Sequence, residues 1–164
     1  MLRRPSGRPR ETGVDFFMRA VVTRVSSASV EIDGVVTGKI GVGFLVLLGV
    51  KNGDTEADAI KLASKICTLR VFADRNGKMN LDLEAVGGSI LVISQFTLYA
   101  DCKSRRPGFT AAARPDTAIP LYELFIKHCE NAGFAVETGR FGAMMDVSSV
   151  NDGPVTILFD TETL

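Results

Sequence analysis

Residues 40–50 read IGVGFLVLLGV, a nearly continuous apolar run bounded by glycines. It is too short and too rich in β-branched residues for an independent helix, so it predicts a buried central strand, of the kind covered on both faces by other layers. SILVIS, residues 89–94, follows Gly87-Gly88 and predicts a second such strand. Upstream, residues 20–32 alternate (Val22, Arg24 and Ser26 against Val21, Thr23 and Val25), the period of a half-buried strand, and run into a turn at Asp33-Gly34, so two hairpin strands open the domain. Asp54 or Thr55 caps a helix reaching about Leu69, with Ile60, Ala63, Ile66 and Cys67 at helical spacing, and Asn76-Gly77 marks a tight turn. After a polar loop over residues 101–114, a second helix starts near Asp116, turns Leu121, Leu124, Phe125, Ile126 and Cys129 inward, and stops at Gly133. Residues 134–137, 144–150 and 155–159 predict closing strands. This order predicts an α/β fold: a single layered domain of mixed β-sheets with two main helices packed outside.

The chain has 164 residues, 46% of them apolar, which suits one domain with one closed core. Nineteen basic and nineteen acidic residues cancel, so no global field draws the protein onto DNA, RNA or an anionic membrane, and any nucleic-acid contact must be local. That argues against DNA as a partner. Cys67, Cys102 and Cys129 form an odd set without C-x-x-C spacing, which argues against a disulfide framework or a zinc site and points to a reducing cytoplasm. No apolar run approaches the roughly 18 residues that span a bilayer. Residues 1–17 mix Arg3, Arg4, Arg8 and Arg10 with Pro5, Gly7 and Pro9 and show no apolar period, so they read as a disordered extension. Two origins stay open: an upstream start with Met18 as initiator, or an arginine-rich targeting leader, against which Glu11 and Asp15 count. The folded domain is expected over residues 18–164.

The sequence also excludes chemistry. Its single histidine, His128, sits near the C-terminal end of the second helix, where imidazolium suits the helix dipole, and no H-E-x-x-H or G-x-S-x-G surrounds it. No metal site and no cofactor are expected. Gly41-Val42-Gly43 begins like a dinucleotide fingerprint, but Val46 occupies the third glycine position and the segment continues as strand.

Two polar segments remain. Ser94-Gln95-Phe96-Thr97 follows directly on a buried strand, a common place for active-site groups, although a strand end satisfying its own backbone reads the same way. Asn151-Asp152-Gly153-Pro154 taken alone is a turn. In this order and at this separation, with Arg24-Val25, Gly87-Gly88-Ser89, Arg106-Pro107 and residues 138–142 (TGRFG) in support, the chain resembles the D-aminoacyl-tRNA deacylases over residues 18–159. The resemblance implies a homodimer in which a cis Gly153-Pro154 element crosses the interface into the partner's site. It implies hydrolysis of the ester of D-aminoacyl-tRNA, and of glycyl-tRNA mischarged on the alanine tRNA, with tRNA as the partner. It places catalysis at Ser94, Gln95, Phe96 and Thr97. Substrate binding and chiral selection fall to Asn151, Gly153, Pro154, Arg24, Phe141 and Met145.

An aminoacyl ester is activated, so electrostatic help suffices, and backbone N–H groups around Phe96-Thr97 are the expected oxyanion donors. Water is the expected nucleophile, and the resemblance implies that the vicinal ribose hydroxyl of the substrate participates. Lys103, Arg105, Arg106 and Arg114 cluster after the SQFT segment and read equally as phosphate ligands or as a solvated loop. Two rivals stand beside this reading: an esterase or amidohydrolase using Thr97 as nucleophile, and a non-catalytic nucleic-acid-binding module.

Overall fold

The computed structural model describes residues 17–164, so the expected extension lies, apart from Phe17, outside the described residues. Met18 is fully buried, and its N–H donates to the Thr161 hydroxyl at 3.0 Å. β1 (Arg19–Ile32) and β2 (Val35–Ile40) form an antiparallel hairpin. Asp33 and Gly34 turn it with φ of 50° and 77°, the left-handed pair that Asp-Gly supplies most easily.

The run 40–50 is not one strand. Ile40 closes β2, Gly41 and Val42 turn the chain with Val42 exposed, and β3 (Gly43–Gly49) then begins. An exposed valine in a turn is what hid this break, because apolarity alone does not distinguish a strand from its connection. β3 is buried almost throughout and lies between β1, antiparallel, and β6 (Ser89–Ser94), parallel, which makes it the central strand expected from its composition. β7 (Val136–Thr138) extends the sheet beside β6, two residues later than its sequence pattern suggests. β4 (Phe72–Ala73) and β5 (Met79–Leu81) make a separate small hairpin around the Asn76-Gly77 turn.

Both helices cover the same face of the sheet. α1 (Glu56–Cys67) starts at Thr55, whose N–H donates to the Asp58 carboxylate at 2.9 Å, and buries Ala59, Leu62, Ala63, Ile66 and Cys67. Ile60, expected on that face, is exposed, since a spacing of three or four from Ala63 also fits the adjoining stripe. α2 (Pro115–Asn131) turns Leu121, Tyr122, Phe125 and Cys129 into the same core and ends before Gly133. Phe44 and Phe72 stack in this core with centroids 5.3 Å apart, and burial of such a ring stabilises by about 1.5–3 kcal/mol. On the other face the sheet curls, bringing β2 against β6 and β7 around a second cluster that includes Val25, Val30, Leu45, Leu91 and Ile93.

β8 (Asp146–Asp160) replaces the two strands expected at 144–150 and 155–159. It runs antiparallel to β1, but Thr23 faces Thr156 while Val25 faces Asn151. Arg24 alone therefore opposes residues 152–155, and those four residues bulge from the ladder before the strand resumes. Asn, Gly and Pro carry turn chemistry, which is why the sequence reads as a reversal; here they make an excursion that returns to the same line. Val147, Val150 and Leu158 of β8 are exposed, and among the described residues β8 pairs only with β1. No helix among the described residues is long and apolar enough to cross a membrane.

Before α1, Asp54 is buried; its Oδ2 accepts the Lys51 N–H at 2.6 Å, and its Oδ1 has no partner among the described residues. Burial, reinforced by the charges of Asp58 and Asp160, pushes this carboxyl from 3.8 up to about 6. The folded state thus holds the proton that the unfolded chain releases, and the group's contribution, full below about pH 4, is lost as pH rises through 6. Asp54→Asn is expected to flatten this part of the pH–stability profile and to raise stability at pH 7.5 by about 2–3 kcal/mol at most, read by urea unfolding at pH 4.5 and 7.5.

Candidate active site

The polar segment 94–97 is held where β3 and β6 end. The Gln95 N–H donates to the Leu48 carbonyl at 2.8 Å, and the chain then winds into a single 3-10 turn, Phe96–Tyr99. Gly49 makes this close approach feasible: a Cβ there would lie 3.0 Å from Tyr99 Cε2 and 3.1 Å from both the Gln95 carbonyl oxygen and Leu98 Cβ. Gly49→Ala is expected to push the turn away, lowering stability by about 1–3 kcal/mol and kcat about tenfold through displaced donors, measured by urea unfolding and single-turnover rates. The N–H groups of Phe96 and Thr97 have no acceptor among the described residues, as the first donors of a helical turn do not.

Around the turn lies a cleft of about 420 Å³. Ser94, Gln95, Phe96 and Thr97 form one side, and Phe141, Met144 and Met145 face them. Tyr122 reaches in from α2, meets Phe141 edge to face with centroids 5.8 Å apart, and donates its hydroxyl to the Val92 carbonyl at 3.2 Å. Burial pushes its phenol up to about 12, so it is neutral at physiological pH. Among the described residues it is the one titratable side chain lining the cleft, to which they bring no carboxylate, imidazole, amine, guanidinium or thiol. The Thr97 hydroxyl accepts a hydrogen bond from the Gln95 amide, and His128 is engaged with Ser64 Oγ at 3.0 Å, away from the cleft.

Of the residues expected from sequence, Ser94, Gln95, Phe96, Thr97, Phe141 and Met145 thus converge, whereas Arg24, Asn151, Gly153 and Pro154 do not line this cleft. They form a second group at the β8 bulge. Arg24 Nε lies 3.2 Å from the Asp152 carbonyl oxygen and 3.1 Å from its carboxylate, while Nη1 donates to the Val71 carbonyl at 2.5 Å. Gly153 has φ of +120°, and a Cβ on it would lie 2.7 Å from Arg24 Nη2. Arg24 therefore braces the bulge, and only glycine leaves it room to do so. Asn151 Oδ1 accepts the Ser149 hydroxyl at 2.8 Å, and the Gly153–Pro154 peptide is cis. Tyr122 was not expected at the site, although its place one residue past Leu121 on the inward stripe of α2 carried the signal.

Solved structures give the class of fold. The chain superposes on a probable eukaryotic D-amino acid tRNA deacylase with a TM-score of 0.77 at 16% identity, covering 88% of this chain and 99% of that one, a likeness of fold. It superposes with a TM-score of 0.81 on a c-Myc DNA unwinding element binding protein, 37% identical, covering 86% and 97%. Sequence then gives the family: the chain belongs to the D-Tyr-tRNA(Tyr) deacylase family, whose pattern matches residues 21–160. A D-aminoacyl-tRNA deacylase of Thermus aquaticus is 58% identical over 145 residues, covering 88% of this chain and 95% of the relative. Another, of Halalkalibacterium halodurans, is 53% identical over 146 residues, covering 88% and 100%.

Proposed function

We infer that this protein hydrolyses the ester of D-aminoacyl-tRNA, releasing the free D-amino acid and tRNA, and so performs chiral proofreading in translation. The observation that carries the mechanism is that, among the described residues, no working acid, base or nucleophile lines the cleft, while two backbone N–H groups at its edge have no acceptor. Such a site suits a bond already activated. The carbonyl oxygen of the substrate accepts from the Phe96 and Thr97 N–H groups, which stabilise the oxyanion formed when water adds; a donor of this kind is worth about 10²–10³ in rate. The vicinal 2′-hydroxyl of the terminal ribose orients the water and passes its proton towards the leaving 3′ oxygen as the C–O bond breaks. Ser94 and Gln95 position the adenosine end, and Phe141 and Met145 supply apolar walls. Thr97 is not the nucleophile in this reading: its oxygen already accepts from Gln95, and no base adjoins it.

The protein acts as a homodimer. The support is the exposed edge of β8, with its apolar Val147, Val150 and Leu158, and the position of the Gly153-Pro154 bulge outside its own subunit's cleft. In the dimer the partner's bulge closes the cleft, and its backbone crowds an L side chain, while D-amino acids and glycine fit. No cofactor or metal enters this chemistry, and the compartment is the cytoplasm, where aminoacyl-tRNA is used. Incubation with D-tyrosyl-tRNA and its L counterpart tests the reading: rapid release of D-tyrosine alone is expected, and equal or absent release of both overturns it.

A further inference from the structure

On the far side of the 3-10 turn from the cleft lies an open groove of about 570 Å³, lined by Arg19, Lys51, Tyr99, Asp101, Cys102 and Lys103 with Ala100 and Ala111. The two hollows share their walls. Val50 and Lys51, Thr97 and Tyr99, and Ala113 and Ala111 each place one residue in the cleft and a near chain neighbour in the groove. The Ala113 N–H donates to the Val50 carbonyl at 2.9 Å, and Lys51 bridges to Ala112, so this partition is hydrogen-bonded.

The cations of the groove are arranged differently from ordinary surface charges. Arg19 is clamped: Nε lies 2.9 Å from Asp160 Oδ2, Nη1 donates to the Leu98 carbonyl at 3.2 Å, and the guanidinium carbon sits 4.9 Å from the Tyr99 ring centroid. Its outer edge is held towards the groove. Lys51 Nζ lies 5.6 Å from the Phe17 ring centroid, and among the described residues neither Lys51 nor Lys103 has a carboxylate partner. Asp101 also lines the groove, its Oδ1 accepting the Lys103 N–H at 3.0 Å. Paired N–H···O bonds between Asp101 and Gly108, of 2.7 and 2.9 Å, close the intervening loop into a finger that carries Lys103, Arg105 and Arg106 exposed, none with a carboxylate partner among the described residues. Ser104 Oγ donates to the Arg106 carbonyl at 2.7 Å and stiffens its tip. On the cleft side, Phe96 is half exposed and stands edge to face with Phe109, centroids 5.1 Å apart.

We propose that this groove and finger take the phosphodiester backbone of the single-stranded 3′ end of the substrate RNA, immediately 5′ of the terminal adenosine. The proposal rests on the deacylase reading above and extends it. An ester on the terminal ribose fixes where the chain must leave: the 5′ oxygen of that ribose carries the first phosphodiester, so the RNA backbone exits the cleft within one nucleotide. The groove is the adjoining hollow, where Lys51 and Lys103 have no carboxylate partner among the described residues, and the half-exposed Phe96 ring in the cleft offers a face on which a base can stack. It also reconciles a chain of zero net charge with an anionic substrate, since the positive charge is local and placed at the exit.

The test uses Lys51→Gln with Lys103→Gln in the full chain, against three ligands. Relative to wild type, kcat/KM for D-tyrosyl-tRNA at 0.1 M salt is expected to fall about tenfold or more, mostly through KM, and the log-log salt slope to shrink by about 1.4, the value for two contacts on a single strand. Cleavage of D-tyrosyl-adenosine, which has no phosphodiester, is expected to be unchanged, which also reports that the variant is folded. Equal losses on both substrates, or no loss on either, overturn the proposal. A fluorescent oligoribonucleotide ending in CCA separates the two readings: if wild type cleaves neither ester, the deacylase reading fails, while weaker binding of the oligonucleotide by the variant still supports the groove and equal binding sinks it.

Discussion

Glycyl-tRNA and D-alanyl-tRNA will be cleaved at comparable rates, and L-alanyl-tRNA at least about 10²-fold more slowly, although it differs from the glycyl substrate by one methyl. Apolar pockets cannot achieve this, because a methylene contributes only about 1–3 kcal/mol and a soft wall yields to the wrong isomer. Rejection by backbone works differently. The 152–155 bulge is braced by Arg24, which bonds it to β1 and to the Val71 carbonyl, so in the proposed dimer it would have little freedom to move aside for an L side chain. A repulsive element of this sort discriminates against the wrong enantiomer without requiring contacts to the right one, so D substrates of many sizes should fit. Each tenfold needs about 1.4 kcal/mol, and two or three such steps are within reach of a steric clash with fixed backbone. Initial rates on the three substrates decide the matter. Equal hydrolysis of glycyl- and L-alanyl-tRNA removes Gly153-Pro154 from any selective role.

The second large effect concerns the substrate's own hydroxyl. With the terminal 2′-hydroxyl replaced by hydrogen, single-turnover cleavage is expected to fall about 10³-fold, within the range for loss of a positioned proton-transfer group. Thr97→Ala, which leaves the Gln95 amide without its acceptor, is expected to stay within about tenfold of wild type, and Thr97→Ser, which keeps a hydroxyl there, closer still. A side-chain nucleophile would give the reverse pattern. Normal turnover of the 2′-deoxy substrate together with an inactive Thr97→Ala would establish Thr97 as the attacking group and return the protein to the esterase class.

Much of this was legible before any coordinates. The central strand, the two helices and the SQFT segment at a strand end follow from apolar period and from polar residues placed where a buried run stops. What escaped is decided between elements rather than within one. Val42 in a turn and a bulge at 152–155 that does not reverse the chain are set by how β1 pairs with its neighbours, which one strand's pattern does not contain, and Ile60 on the outer side of α1 by which of two adjoining helical stripes packs inward. The convergence of Phe141 and Met145 with residues 94–97 was expected from the family resemblance alone, since the chain's own pattern carries no signal that brings the two segments together. The placing of Gly153 and Pro154 apart from the cleft likewise followed from the resemblance and not from the residues, which read as an ordinary turn. Arg19 and Lys51, 32 positions apart and in no motif, share one groove beside the 3-10 turn.

The lining of the cleft bears on how the protein withstands chemical attack. Electrophiles and oxidants inactivate most hydrolases through the thiolate, imidazole or activated hydroxyl on which their chemistry depends, and among the described residues none of these lines the cleft. The sulfur atoms at the site belong to Met144, which is almost fully exposed, and Met145, and a methionine sulfoxide is reversible damage. Reactive warheads would therefore find no anchor in this cleft, and an inhibitor would have to succeed by shape and by occupying two backbone N–H groups that mutation of a side chain cannot remove.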